Sequence, residues 1–219
     1  MLAYEAQQIC SLHHIPTPRS YITSNVHDAI LKANDLGFPV ALKIVSPQIL
    51  HKSDVGGVVL NVRDEKELKL QYEKMTAGIA EKEPSPRVLG VMVEKMMPPS
   101  TEVIIGAIRD PQFGPTVMFG IGGIFTEVYN DAAFRVAPLD RIDAWNLIHG
   151  LKGSRILEGT RGKSPANLDL IINVLVNVSN LIIEHDKINQ LDLNPVIVYP
   201  DNVCAVDSRI IIGKRDGSD

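Results

Sequence analysis

The chain has 219 residues, 45% of them hydrophobic and 22% charged, and its 22 basic and 26 acidic side chains give a formal charge of −4. At about 150 residues per domain this allows one or two domains with a real core, and the composition argues against disorder. The acidic balance excludes a general nucleic-acid footprint, and no apolar run reaches the roughly 18 residues of a membrane helix.

In chain order, residues 2–14 carry apolar side chains about one helical turn apart and predict a short amphipathic helix stopped by Pro16 and Pro18. The same segment lacks the basic and apolar regions of a secretory signal. Cys10 and Cys204 lie near opposite ends, form no CxxC pair, and are expected as buried free thiols in a reducing compartment, the cytoplasm. Residues 19–23 predict a strand, and Ser24 or Asn25 caps a helix over 26–36 that Gly37 ends. Residues 39–45 form a short, β-rich apolar run interrupted by Lys43, read as a buried strand. The loop SPQILHKSDVGG, a strand over 58–62 and a charged helix from Asp64 to about Ala80 follow. Further strands are expected over 88–93, 102–108, 115–119 and 134–137, and helices over 140–149 and 167–185. Residues 191–199 and 203–212 read as a final hairpin about Pro200, Asp201 and Asn202. Strands and helices mix without strict alternation, which favours an α+β chain of two lobes with a hinge over 95–100. The expected divisions are an N-terminal helix to residue 16, one lobe over 17–95, a second over 96–212, and a mobile tail over 213–219.

Five features can carry chemistry. Lys43 is either a snorkelling edge lysine or a cation held over a phosphate. In HKSDVGGV the glycines allow close backbone approach and the amides can face an anion, with Lys52 and Ser53 as further donors. His51 in the same loop is a nucleophile or base near neutral pH, or simply a solvated loop histidine. Glu94 and Glu102 flank the hinge, as ribose or amino-group acceptors or as plain exposed acids. Gly122 and Gly123 of the GIGG loop suit a phosphate cradle; Phe125 at the third glycine position excludes the Rossmann fingerprint. In LDLNPV, Asp192 and Asn194 share a strand face, as do Asp207 and Arg209 in VDSR. Asn194 and Asp207 suit Mg²⁺, and Arg209 a phosphate oxygen; the plain reading is a salt bridge, of Asp207 with Arg209 or of Asp192 with an outside base. Together the order suits a nucleotide between two lobes, the hinge backbone at Met96 reading adenine, Glu102 the ribose, and Lys43 and the loops the phosphates.

On the residues GFPVALKIVSPQILHKSDVGGV, VMVEKMMPPSTEVIIGAIRDPQFGP, FGIGGIFTE, LDLNPV and VDSR, the chain resembles the ATP-grasp β subunits of ADP-forming acetyl-CoA synthetases. The resemblance spans about residues 15–212. It implies ATP/ADP and Mg²⁺ as cofactors. It also implies an α subunit that carries the CoA-binding and phosphohistidine segments, with α2β2 as the family stoichiometry. Lys43, Glu94 and Glu102 would then contact the nucleotide, and Asn194 and Asp207 would hold Mg²⁺. His51 would take the phosphoryl group transiently. The absence of a CoA-binding half predicts an obligate partner, and no membrane or nucleic-acid contact is expected. Two alternatives stay open: a stand-alone ATP-grasp ligase joining a carboxylate to an amine, and a non-catalytic nucleotide-binding regulatory subunit.

Overall fold

The structure is a computed structural model that describes residues 1–49, 52–82, 84–122, 131–159 and 164–213. The chain divides into two compact units, one built from residues 18–98 and the other from residues 3–17 together with 99–219.

The unit of residues 18–98 is a four-stranded antiparallel sheet in the order β1-β4-β2-β3, formed by β1 (Ser20–Thr23), β2 (Val40–Val45), β3 (Val58–Val62) and β4 (Gly90–Lys95). Helices α2 (Val26–Leu36) and α3 (Glu65–Ala80) pack on it. Both helices start where a short polar side chain can take an orphan amide. Asn25 accepts from the Asp28 amide at 2.9 Å, and Asp64 from the Glu67 amide at 2.8 Å. Ala29, Ala33 and Leu36 of α2 and Leu68, Tyr72, Met75 and Ile79 of α3 bury their shared stripe against Val40, Leu42, Ile44, Val91 and Val93. Strand β2 is buried along its whole length, which explains its nearly continuous apolar sequence. The fourth strand starts at Gly90, later than the apolar run suggests: Val88 and Leu89 remain 37% and 40% exposed ahead of the ladder.

The second unit holds a sheet in the order β10-β8-β5-β6-β7, with β9 also pairing β8. Its strands are β5 (Thr101–Asp110), β6 (Gly114–Ile121), β7 (Ala132–Val136), β8 (Ile188–Val198), β9 (Val203–Ala205) and β10 (Ser208–Ile212). Helices α1 (Ala3–Leu12), α4 (Arg141–His149) and α5 (Leu168–Glu184) contribute to its core. Asp140 opens α4 with a reciprocal capping box to Asp143, and Asn167 caps α5. The apolar stripe of α5 lies under the sheet, and its one fully buried hydroxyl, Ser179, accepts from the Leu139 amide at 2.8 Å. Helix α1 packs against β10, and the Ala205 amide donates to the Pro16 carbonyl at 2.8 Å.

The C-terminal hairpin departs from the expected pair of strands. The chain after Asn202 forms two short strands, β9 and β10, interrupted at Val206 and Asp207. That break lies opposite an irregularity in β8. Val103 pairs Val196 but Ile105 pairs Leu193, so Asn194 and Pro195 together stand opposite Ile104. The bulge inverts the inward phase of the strand: Leu191 and Leu193 point to the core before it, Val196 and Val198 after it.

All pairings in both sheets are antiparallel, with helices packed on them, as expected of an α+β chain. Among the described residues, no helix is long and apolar enough to cross a membrane.

Candidate functional site

In the unit of residues 18–98 the central strands β2 and β4 place Lys43 and Glu94 side by side. Ala41 lies opposite Glu94 in the ladder, so Lys43 reaches it on the diagonal. The Lys43 Nζ donates to Glu94 Oε1 at 2.6 Å, with the two residues 6% and 1% exposed. This overturns the snorkelling reading of Lys43 and the exposed-acid reading of Glu94. Sequence shows one strand at a time, and only the pairing of β2 with β4 supplies the counter-charge that lets both enter the interior. A charge pair this buried is preorganised: water does not compete for it, and the ammonium stays in one place.

Next to β2, a single 3-10 turn over Ser53–Val55 follows Lys52. The Gly57 amide donates to the Lys52 carbonyl at 2.7 Å, and the Gly56 amide to the Ser53 carbonyl at 3.1 Å. These amides close the turn on itself and are not turned toward an anion, which corrects the role expected for them. Gly57 is required for a different reason. A Cβ there would lie 2.5 Å from Ile44 Cγ2, because its carbonyl accepts from the Ile44 amide at 2.8 Å and draws the turn onto β2. Lys52 is half-buried and Ser53 exposed. His51 lies outside the described residues. Met96 is half-buried, and its amide donates to the Pro39 carbonyl at 3.2 Å.

In the second unit, Glu102 is exposed on β5. The Gly122 amide, just past β6, donates to the Glu102 carbonyl at 2.8 Å, and a Cβ on Gly122 would lie 2.9 Å from both the Cβ and the carbonyl oxygen of Glu102. Gly122 therefore allows the chain to pass directly over Glu102. Gly123 lies outside the described residues.

The β8 bulge and the break between β9 and β10 bring Asn194 and Asp207 together. The Asn194 amide donates to the Asp207 carbonyl at 3.2 Å, and both residues are exposed. Arg209 pairs Asp192 across the β8–β10 ladder, and Gly106 lies opposite Asp192 on its other side. Among the described residues there is no Asp207–Arg209 ion pair, so the plain salt-bridge reading is not what joins them. Asp192, which the sequence placed on this face without a ligand role, has its carboxyl raised above the ordinary carboxylate range. Burial is the main cause and the charge of Asp207 the second, with Arg209 pulling the other way. A carboxamide and a carboxylate are hard oxygen donors, and the excess negative charge felt by Asp192 is what a divalent cation would offset. The residues present fit Mg²⁺.

A family model described as ATP-grasp domain matches residues 1–212. The chain is 41% identical over 208 residues to the acetate–CoA ligase (ADP-forming) I subunit beta of Pyrococcus furiosus, covering 95% of this chain and 90% of that one. It is also similar to solved structures of dinucleotide forming acetyl-coenzyme A synthetase 1 from Ca. Korarchaeum cryptofilum. The complex of that protein with coenzyme A and Ca-AMPCP matches with a TM-score of 0.95 at 42% identity, over 97% of this chain and 93% of that chain. Its complex with coenzyme A and Mg-AMPPCP, whose phosphohistidine segment points towards the nucleotide binding site, matches at a TM-score of 0.85 and 41% identity, over 97% and 92%.

Proposed function

Because the chain belongs to the ATP-grasp domain family, among the β subunits of ADP-forming acetate–CoA ligases, we propose that it is the nucleotide-binding β subunit of an ADP-forming acyl-CoA synthetase. The reaction is acyl-CoA + ADP + phosphate ⇌ free acid + CoA + ATP, and this chain performs its last step. The observation that carries the reading is the nearly end-to-end match to a separate β subunit, 95% of this chain against 90% of that one.

In that step the N–P bond of a phosphohistidine, protonated on its other ring nitrogen, breaks while a terminal oxygen of ADP forms the new P–O bond, leaving neutral imidazole and ATP. Such transfer depends on positioning and on charge neutralisation more than on covalent help. Lys43, fixed by Glu94, supplies a stationary positive charge for the phosphates. Lys52 and Ser53 add donors beside it, and the backbone at Met96 faces the adenine. Glu102 accepts from the ribose hydroxyls. Gly122 and Gly123 let backbone approach the phosphates, and Arg209 pairs a phosphate oxygen. Asn194 and Asp207 would hold Mg²⁺, which when bound neutralises phosphate charge. His51 acts as the relay that accepts the phosphoryl group from a segment of the partner. The partner is an α subunit that binds CoA and the acyl group, the assembly is α2β2, and its location is the cytoplasm.

The test is transfer from γ-³²P-ATP with Mg²⁺, using this chain with and without the α subunit. The expected label is acid-labile, discharged by ADP, and lost in His51→Ala. An assembled enzyme that binds nucleotide tightly and takes no acid-labile label would overturn the reading in favour of an amine-joining ligase or a regulatory subunit. Light scattering on the reconstituted complex checks the stoichiometry.

A further inference from the structure

Away from the nucleotide-binding residues, two histidines 172 positions apart in sequence meet nitrogen to nitrogen: His13 Nε2 and His185 Nε2 are 2.9 Å apart. The rings stand edge to face, with centroids 4.9 Å apart and an interplanar angle of 82°. Glu184 adds a carboxylate, its Oε2 3.6 Å from His13 Nδ1. One ligand atom from each of the three residues lies within 4.8 Å of the others.

Backbone hydrogen bonds fix the main chain at both residues. The His13 amide donates to the carbonyls of Ile9 and Cys10 at 3.1 Å. The His185 carbonyl accepts from Arg109 Nη2 at 2.9 Å and from the Ile188 amide at 3.0 Å, and its own amide donates to Leu181 at 3.2 Å. His13 follows the last residue of α1, and His185 caps the C-terminus of α5. The negative ends of two helix dipoles therefore converge where the imidazoles meet, a setting that favours a cation.

We propose that His13, His185 and Glu184 form a binding site for a borderline divalent cation of the zinc class, which ties the end of α1 to the end of α5. In a tetrahedral zinc site with bonds of about 2.0–2.1 Å, two coordinated nitrogens lie about 3.3 Å apart, a few tenths of an ångström from the present spacing. The two Nε2 atoms supply two ligands; the Glu184 carboxylate, which here faces Nδ1 of His13 and is 60% exposed, reaches the ion by a turn of its side chain, and water takes the fourth position. The nitrogen donors select against Mg²⁺ and Ca²⁺, which take oxygen. The site is thereby separate in chemistry from the Asn194 and Asp207 pair.

The test is titration of the full chain, stripped with chelator, with Zn²⁺ by calorimetry and with Co²⁺ by visible absorption, in excess Mg²⁺ to fill oxygen sites. The expected result is one equivalent of Zn²⁺ bound and intense Co²⁺ bands of low coordination number. Affinity should fall by roughly tenfold or more in His13→Gln and in His185→Gln, while His27→Gln in the other unit leaves it unchanged. Zn²⁺ should raise the Tm of the wild-type chain and not that of His185→Gln. If His13→Gln fails to fold, Glu184→Gln carries the test, because that side chain is 60% exposed. No stoichiometric Zn²⁺ binding, or binding equal in wild type and the histidine variants, overturns the proposal.

Discussion

Replacing Lys43 by Met separates the structural from the functional role of the buried pair. The substitution keeps an unbranched apolar stem one atom shorter than lysine and removes the cation from a carboxylate that is 1% exposed. Breaking a buried ion pair from one side costs about 3–5 kcal/mol, because the remaining charge stays in low dielectric. For a chain of this size, at about 2–4 °C per kcal/mol, that lowers Tm by roughly 6–20 °C. The double variant Lys43→Met/Glu94→Leu replaces both charges with apolar groups and should regain most of the loss, since such swaps are often neutral or better. Nucleotide affinity should not return with it, because the fixed positive charge is gone. Thermal unfolding and ADP calorimetry on the wild type, both single variants and the double variant form a complete cycle. A Lys43→Met chain within about 1 kcal/mol of wild type would refute the desolvation argument, and a double variant that binds ADP normally would refute the role of Lys43 at the phosphates.

Gly122→Ala forces a methyl group to within 2.9 Å of Glu102; it should cost about 1–3 kcal/mol of stability and weaken ADP binding about tenfold by calorimetry, whereas unchanged binding would remove Glu102 from the site. Asp207→Asn should raise the Mg²⁺ concentration that half-saturates labelling by roughly tenfold or more, with little change in unfolding temperature, since Asp207 is exposed. The Cys10 thiol is pushed up to about 12 from an ordinary 9.0, mainly by burial. Its contribution to stability is therefore fully present below pH 9 and is lost as pH rises toward about 12, where the unfolded chain ionises more readily. At pH 8 it should not react with a disulfide reagent until denaturant is added, and rapid native-state labelling would contradict its burial.

What was legible in the sequence was whatever neighbours along the chain decide. The caps Asn25, Asp64, Asp140 and Asn167 mark helix starts because a short polar side chain competes locally for an orphan amide. The α2 and β3 boundaries coincide with those expected, since Gly37 and the glycines at 56–57 set them from within. What escaped depends on partners distant in sequence. Lys43 read equally well as an edge lysine because the acid that buries it lies on another strand. The glycine turn after Lys52 looked open to an anion because its carbonyl acceptors cannot be assigned from composition. The β8 bulge left no mark in LDLNPV beyond a proline, and it is what brings Asn194 beside Asp207. The meeting of His13 with His185 required the chain to close on itself.

That closure has a consequence for how the protein is made. Helix α1 buries Ala6 and Cys10 against elements from the last half of the chain, β10 among them. At about 5–20 residues per second, and with roughly 200 residues intervening, β10 leaves the ribosome about 10–40 s after α1 does. Residues 18–98 contain every strand of their own sheet and can fold within that interval. Helix α1 thus docks only after β10 has emerged, and during the wait its apolar stripe, with Ala6 and Cys10, stays uncovered by that partner.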